Sequence, residues 1–155
     1  MTFHGMFLWL DHSALANLVR SSTWLFAALE VVHLLGLTLL LGTLVVVDLR
    51  LFGTGLRDQT ISQIAAETMP WTMTGLAAVA GSGVVLAISE ANRLYDIDPF
   101  MIKMVLFVLA LVFTFTFHLR LNKSEPSVAS ARSGAIVSLL LWFGVGFAGR
   151  AIAFF

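Results

Sequence analysis

Four apolar stretches, each close to the length that crosses a lipid bilayer, constrain this chain more than any other feature. They run over about residues 23–47, 69–88, 100–118 and 134–155. An α-helix needs about 20 residues to cross ~30 Å of hydrocarbon. The first stretch is longer and is read as tilted or protruding. Composition agrees: of 155 residues, 59% are hydrophobic and 12% charged, against roughly 45–50% and about 25% in a soluble domain. So few polar side chains cannot coat a water-facing surface, whereas lipid needs no such coat. In lipid, backbone polar groups must bond within the chain, which leaves helices as the economical solution. The expected fold is therefore all-α, a single integral-membrane four-helix bundle, left-handed by default.

The segments between the spans change character sharply. Residues 48–68 carry charges, glycines and a weakly amphipathic stretch from Thr60 to Thr68. Residues 90–99 form a short acidic loop, in which Asp98-Pro99 opens the third span. Residues 119–133 form the most polar loop. The N-terminal segment, about 3–20, mixes aromatics with Asp11, His12 and Arg20. Those charges exclude a fifth span, and the segment reads as an interfacial helix. It lacks a basic n-region and a small-residue cleavage site, so no cleaved signal peptide is expected.

Net charge is zero, which gives no footing for a nucleic-acid partner. There is no cysteine, which excludes disulfides, thiolate metal sites and iron–sulfur clusters. Lys and Arg near the span ends divide five against four. Arg50, Arg57, Arg120, Lys123 and Arg132 lie on the side of the two longer loops, and Arg20, Arg93, Lys103 and Arg150 on the other. This bias puts the longer loops in the cytoplasm and both termini outside. Trp9, Trp24, Trp71 and Trp142 are read as interface anchors.

Ionisable residues inside spans are costly unless paired or hydrated, and so point to function. Here they are Glu30 and His33 on the first span, Lys103 and His118 on the third and Arg150 on the fourth. Asp48 and Arg50 stand at the end of the first span and Arg120 at the end of the third. At about 100° per residue, Glu30, His33 and Asp48 share a stripe that includes Gly36. Lys103, Thr114 and His118 make a second stripe. The two stripes are cheapest to bury facing each other. A Glu30–Lys103 ion pair is expected at one end and a cluster of Asp48, His118, Arg50 and Arg120 at the other, with His33 nearer the middle.

This pattern suggests a haem b site for electron transfer or haem handling. His33 is the first candidate for axial ligand and His118 the second, so both are the candidate metal ligands. Gly36 would leave room for a flat macrocycle, and Arg50, Arg120 or Lys103 would hold propionates. The two histidines differ by roughly 10 Å in depth when counted from the span starts. Two other classes stay open. One is a proton or metal-ion transporter or channel using Glu30, His33, Asp48, Lys103 and His118 as a polar path. The other is an accessory subunit whose polar groups only lock the packing. Glycine-bearing faces on the second span (Gly75, Gly81, Gly83) and fourth span (Gly144, Gly146, Gly149) suggest a homo-oligomer, and a haem protein would have a redox partner.

The combination E-x-x-H-x-x-G (Glu30, His33, Gly36), then DLRLFG (residues 48–53), then F-x-x-K (Phe100 to Lys103) and His118 resembles an uncharacterised family of small bacterial four-span inner-membrane proteins. The likeness covers about residues 20–150 and implies that location without implying an activity. In layout the chain is also similar to the membrane part of copper-resistance proteins and to four-helix b-type cytochromes.

Overall fold

Every spanning helix begins at a serine, threonine or aspartate: Ser22, Thr60, Asp98 and Ser127. In a computed structural model, which describes residues 3–54, 58–121 and 127–154 and all their side chains except those of Phe3, 118–120 and Ala153, the elements are seven α-helices and a terminal 3-10 turn. They are α1 (Phe3–Asp11), α2 (Ala14–Ser21), α3 (Thr23–Leu51), α4 (Ile61–Ser89), α5 (Ala91–Tyr95), α6 (Asp98–Leu121) and α7 (Val128–Ala151), with the turn at Ile152–Phe154. No strand occurs among the described residues. Helices α3, α4, α6 and α7 are the four long and apolar enough to span a membrane, and the protein is a multi-pass membrane bundle.

Side-chain caps set the starts. Ser22 accepts from Leu25 N at the head of α3, Ser127 accepts from Ser130 N at the head of α7, and Thr60 and Gln63 form a reciprocal capping box at the head of α4. Past the end of α3, Gly53 takes φ +82°, a left-handed conformation that glycine enters without a Cβ penalty. The second span is longer than its apolar core predicts. The 60–68 stretch is the first turns of α4, and the helix runs on through Pro70.

The N-terminal segment is two helices rather than one. It breaks at His12-Ser13, where Ser13 caps α2 through Ala16 N. Ala16 and Val19 on α2 are buried, and α1 and α2 pack on α4 and α5 at one end of the bundle. Arg20 ties this cap down. It donates to Asp11 Oδ1 at 2.8 Å and to Ser89 O, the last residue of α4, at 3.2 Å. The rings of His4 and Phe7 lie tilted against Tyr95 of α5, at 4.7 and 5.4 Å between centroids. This capped end carries the N-terminus, α5 and the end of α7. The opposite end carries the end of α3, the start of α4, the end of α6 and the start of α7.

Around the bundle, α3 packs most extensively on α4 and also on α7, α7 packs on α6, and α4 touches α6 only lightly. Helices α3 and α6 therefore face each other diagonally. The α3–α4 pairing is a backbone crossing. A Cβ on Gly75 would stand 2.7 Å from Leu40 N and 3.0 Å from Gly36 O, and one on Gly36 would stand 2.8 Å from Ala78 Cβ. Two buried apolar clusters fill the interior. Leu40, Leu44, Val79, Ala110, Trp142 and Val145 form the one at mid-depth, and Val47, Leu51, Ile64, Ala65, Leu121, Ala131 and Ala135 the one toward the open end.

Trp142 departs from its expected place at the interface. It is 3% exposed and donates from Nε1 to Thr114 Oγ1 at 3.0 Å. It stands mid-helix, where an indole finds apolar neighbours and one polar partner. Trp9, Trp24 and Trp71 are 64%, 83% and 60% exposed, as anchors should be.

Candidate functional site

His33 lies on the same face of α3 as Gly36, Leu40, Leu44 and Val47, so its ring turns into the bundle near the capped end. There it meets α4. Its Nδ1 is 3.0 Å from Ser82 Oγ. The Ser82 hydroxyl donates back to Ala78 O one turn away, a bond typical of serine within a helix, and lies 3.4 Å from Val79 O. A hydroxyl has one proton to give. Ser82 therefore accepts from His33, whose Nδ1 carries the hydrogen. Val79 backbone adds a polar contact to the ring. Gly83 makes the approach possible, because a Cβ there would stand 3.0 Å from His33 Cε1. With Nδ1 so engaged, Nε2 carries the lone pair of the neutral ring.

Lys103 approaches the same place from α6. Its side chain lies across Gly149 of α7, with Nζ and Cε each 3.5 Å from the position of a Cβ there, and its ammonium acts electrostatically on the His33 ring. All four spanning helices thus contribute, through His33, Ser82, Lys103 and Gly149. The seam between α4 and α6 is where the bundle is loosest. Toward mid-depth that seam holds an apolar crevice of about 10 Å³ bordered by Leu76, Leu111, Thr114 and Trp142. Along α4 the same face continues through Ala80 to Gly83, at helical spacing from Leu76.

The other expected residues are distributed differently. Glu30 is exposed and forms no ion pair with Lys103 among the described residues. It points about 60° away from His33, while Lys103 turns inward. Gly36 provides no clearance for a macrocycle, since α4 backbone fills the space over it. Asp48 is 4% exposed near the open end and accepts from Ser138 Oγ at 2.8 Å. Arg50 turns away from it and donates from Nε to Gln59 O at 2.9 Å, bracing the α3–α4 connection. The side chains of His118 and Arg120 lie outside the described residues, as do Arg57 and Lys123 entirely. Position 118 on α6 is nonetheless 15 residues from Lys103, about 22 Å along the helix. The α6 backbone thus carries position 118 toward the opposite end of the bundle from Lys103.

Between the two ends lie Thr72 Oγ1, donating to Thr43 Oγ1 at 2.9 Å, and the Thr114–Trp142 pair. The Gly36–Gly75 crossing and the Leu40 layer close the level between His33 and these threonines. Among the described residues no three His, Asp or Glu side chains meet to hold a metal ion. Sequence reasoning missed Ser82, the partner that orients His33. The one available signal was a serine one residue before Gly83 in an otherwise apolar span.

A family of unknown function, DUF6644, matches residues 6–155. The chain belongs to this family. No curated protein and no solved structure matches the chain. Membership agrees with the resemblance to an uncharacterised family, and it leaves the activity to be argued from the site.

Proposed function

We propose that this DUF6644 protein is a haem b-binding protein of a bacterial inner membrane, serving electron transfer or haem handling, with His33 as axial ligand. The observation that carries the reading is the His33–Ser82 contact. Histidines that ligate a metal commonly donate their other ring N–H to a fixed acceptor, which sets tautomer and ring orientation. His33 does this through Nδ1 and presents Nε2. The donor set fits an axial histidine at His33. Ala80 on the loose α4–α6 seam, rather than Gly36, is the small residue that suits the edge of a macrocycle. When bound, haem supplies a one-electron centre whose potential follows the ligand and its surroundings. The protein's part is to hold the imidazole, exclude water with the Leu40–Trp142 layer and place a cation at Lys103.

The test is an optical spectrum of the purified protein before and after haem is added. A Soret band that disappears in His33→Ala and survives in His118→Ala supports the reading. Absence of any Soret band after reconstitution overturns it. A flux assay in liposomes distinguishes the ion-path alternative, which predicts proton or metal movement that depends on His33.

In the same reading the termini are periplasmic, as the Lys and Arg count suggests. A homo-oligomer would use the glycines that keep open space around them, Gly42, Gly81 and Gly146. Most other helical glycines are consumed inside the bundle. A lone monomer band after mild cross-linking in native membranes would count against it.

A further inference from the structure

We infer that Lys103 is the anion-binding half of this site, and that the site takes an amphiphile with an acidic group: its apolar body lies along the bundle and its carboxylate or phosphate lies on the Lys103 ammonium. The inference deepens the reading above by naming a group the ligand must carry, yet it does not depend on iron.

Lys103 is the sixth residue of α6, close enough to the helix start that its four-carbon stem could carry the ammonium out to water, as lysines near span ends usually do. It lies instead across Gly149 of α7, from where its charge acts on the His33 ring. An ammonium held against the bundle interior requires a counter-charge, and none is supplied by the protein's described residues. Glu30 faces outward, and Glu90 pairs with Arg93 at 3.0 Å. Asp11 pairs with Arg20 at 2.8 Å. Asp98, on the first turn of α6, makes no ion pair with Lys103. Gly149 contributes by having no side chain to push the lysine outward. A cation with no counter-ion among the described residues, acting on an imidazole at a seam loose toward lipid, is matched by a ligand that is apolar along its length and acidic at one end.

The probe is metal-free protoporphyrin IX, which carries two propionates, compared with its dimethyl ester, using the full chain in phosphatidylcholine nanodiscs and porphyrin fluorescence as readout. The free acid should bind at least about tenfold more tightly than the ester, in keeping with a charge-assisted contact. Lys103→Met should reduce the acid to the affinity of the ester, and Lys103→Arg should preserve the preference. Equal binding of acid and ester, no binding of either, or a preference that persists in Lys103→Met would each overturn the inference. Exchanging part of the lipid for phosphatidylglycerol identifies the source of the acid. If the anionic lipid displaces porphyrin in wild type and not in Lys103→Met, the same anion site accepts a headgroup phosphate. His33→Ala should lose the Soret band of added haem while keeping the acid-over-ester preference. Failure of iron ligation is thereby separated from failure of anion binding. Should Lys103→Met not fold, Lys103→Arg and the ester still decide the question.

Discussion

The imidazole of His33 donates from Nδ1 to Ser82 Oγ across 3.0 Å, joining α3 to α4 inside the membrane and fixing which nitrogen of the ring stays free. Replacing Ser82 with alanine removes that acceptor while leaving the ring its space. Under the proposed haem-binding reading, affinity for haem should fall by roughly 10- to 100-fold, the usual effect of losing a partner that orients a ligand. A Soret titration checks this, with little change expected in thermal stability.

Gly75 and Gly36 hold α3 and α4 at backbone contact. In Gly75→Ala the new methyl would stand 2.7 Å from Leu40 N, and backbone cannot yield as a flexible side chain does. The helices must separate, at a cost of about 1–3 kcal/mol. Gly42 on α3 faces open space, so Gly42→Ala should be neutral or slightly stabilising. Unfolding in detergent reads the contrast between them.

Asp48 and Ser138 form a buried bond between α3 and α7. Ser138→Ala leaves the acid without its donor and should destabilise the fold by about 1–3 kcal/mol. Ser138→Thr, which keeps a hydroxyl, should recover most of the loss. Equal melting of the alanine and threonine variants would show that the bond contributes nothing.

Trp142 is shielded from lipid, whereas Trp9, Trp24 and Trp71 are not. In bilayers of brominated lipid, variants retaining Trp24 or Trp71 alone should be quenched strongly and a variant retaining Trp142 alone only weakly. Strong quenching of Trp142 would place α7 with a different face inward.

Arg20 fastens the terminal cap through Asp11 and Ser89. Arg20→Ala should speed amide hydrogen exchange in α1 and α2 without altering exchange in the mid-membrane turns of α3 and α4. Ion pairs this exposed contribute little to global stability, so the effect should be local opening.

Four spans and the all-helical fold were legible in the chain because bilayer thickness and backbone satisfaction act on local composition. Asp98-Pro99 at the head of α6 was legible for the same reason, whereas the caps at Ser22, Thr60 and Ser127 came from the structure. Periodicity likewise placed His33 and Asp48 on one stripe of α3. What the sequence could not decide was which helix each stripe meets. Gly36 reads as clearance until α4 is seen covering it, and Trp142 reads as an anchor until Thr114 is seen beneath it. Glu30 and Lys103 could have paired, and helix rotation sets one outward and the other inward. The local pattern determines what a helix is and which residues share a face. Only packing among α3, α4, α6 and α7 decides what that face touches, because those contacts join residues as far apart as His33 and Ser82, or Asp48 and Ser138.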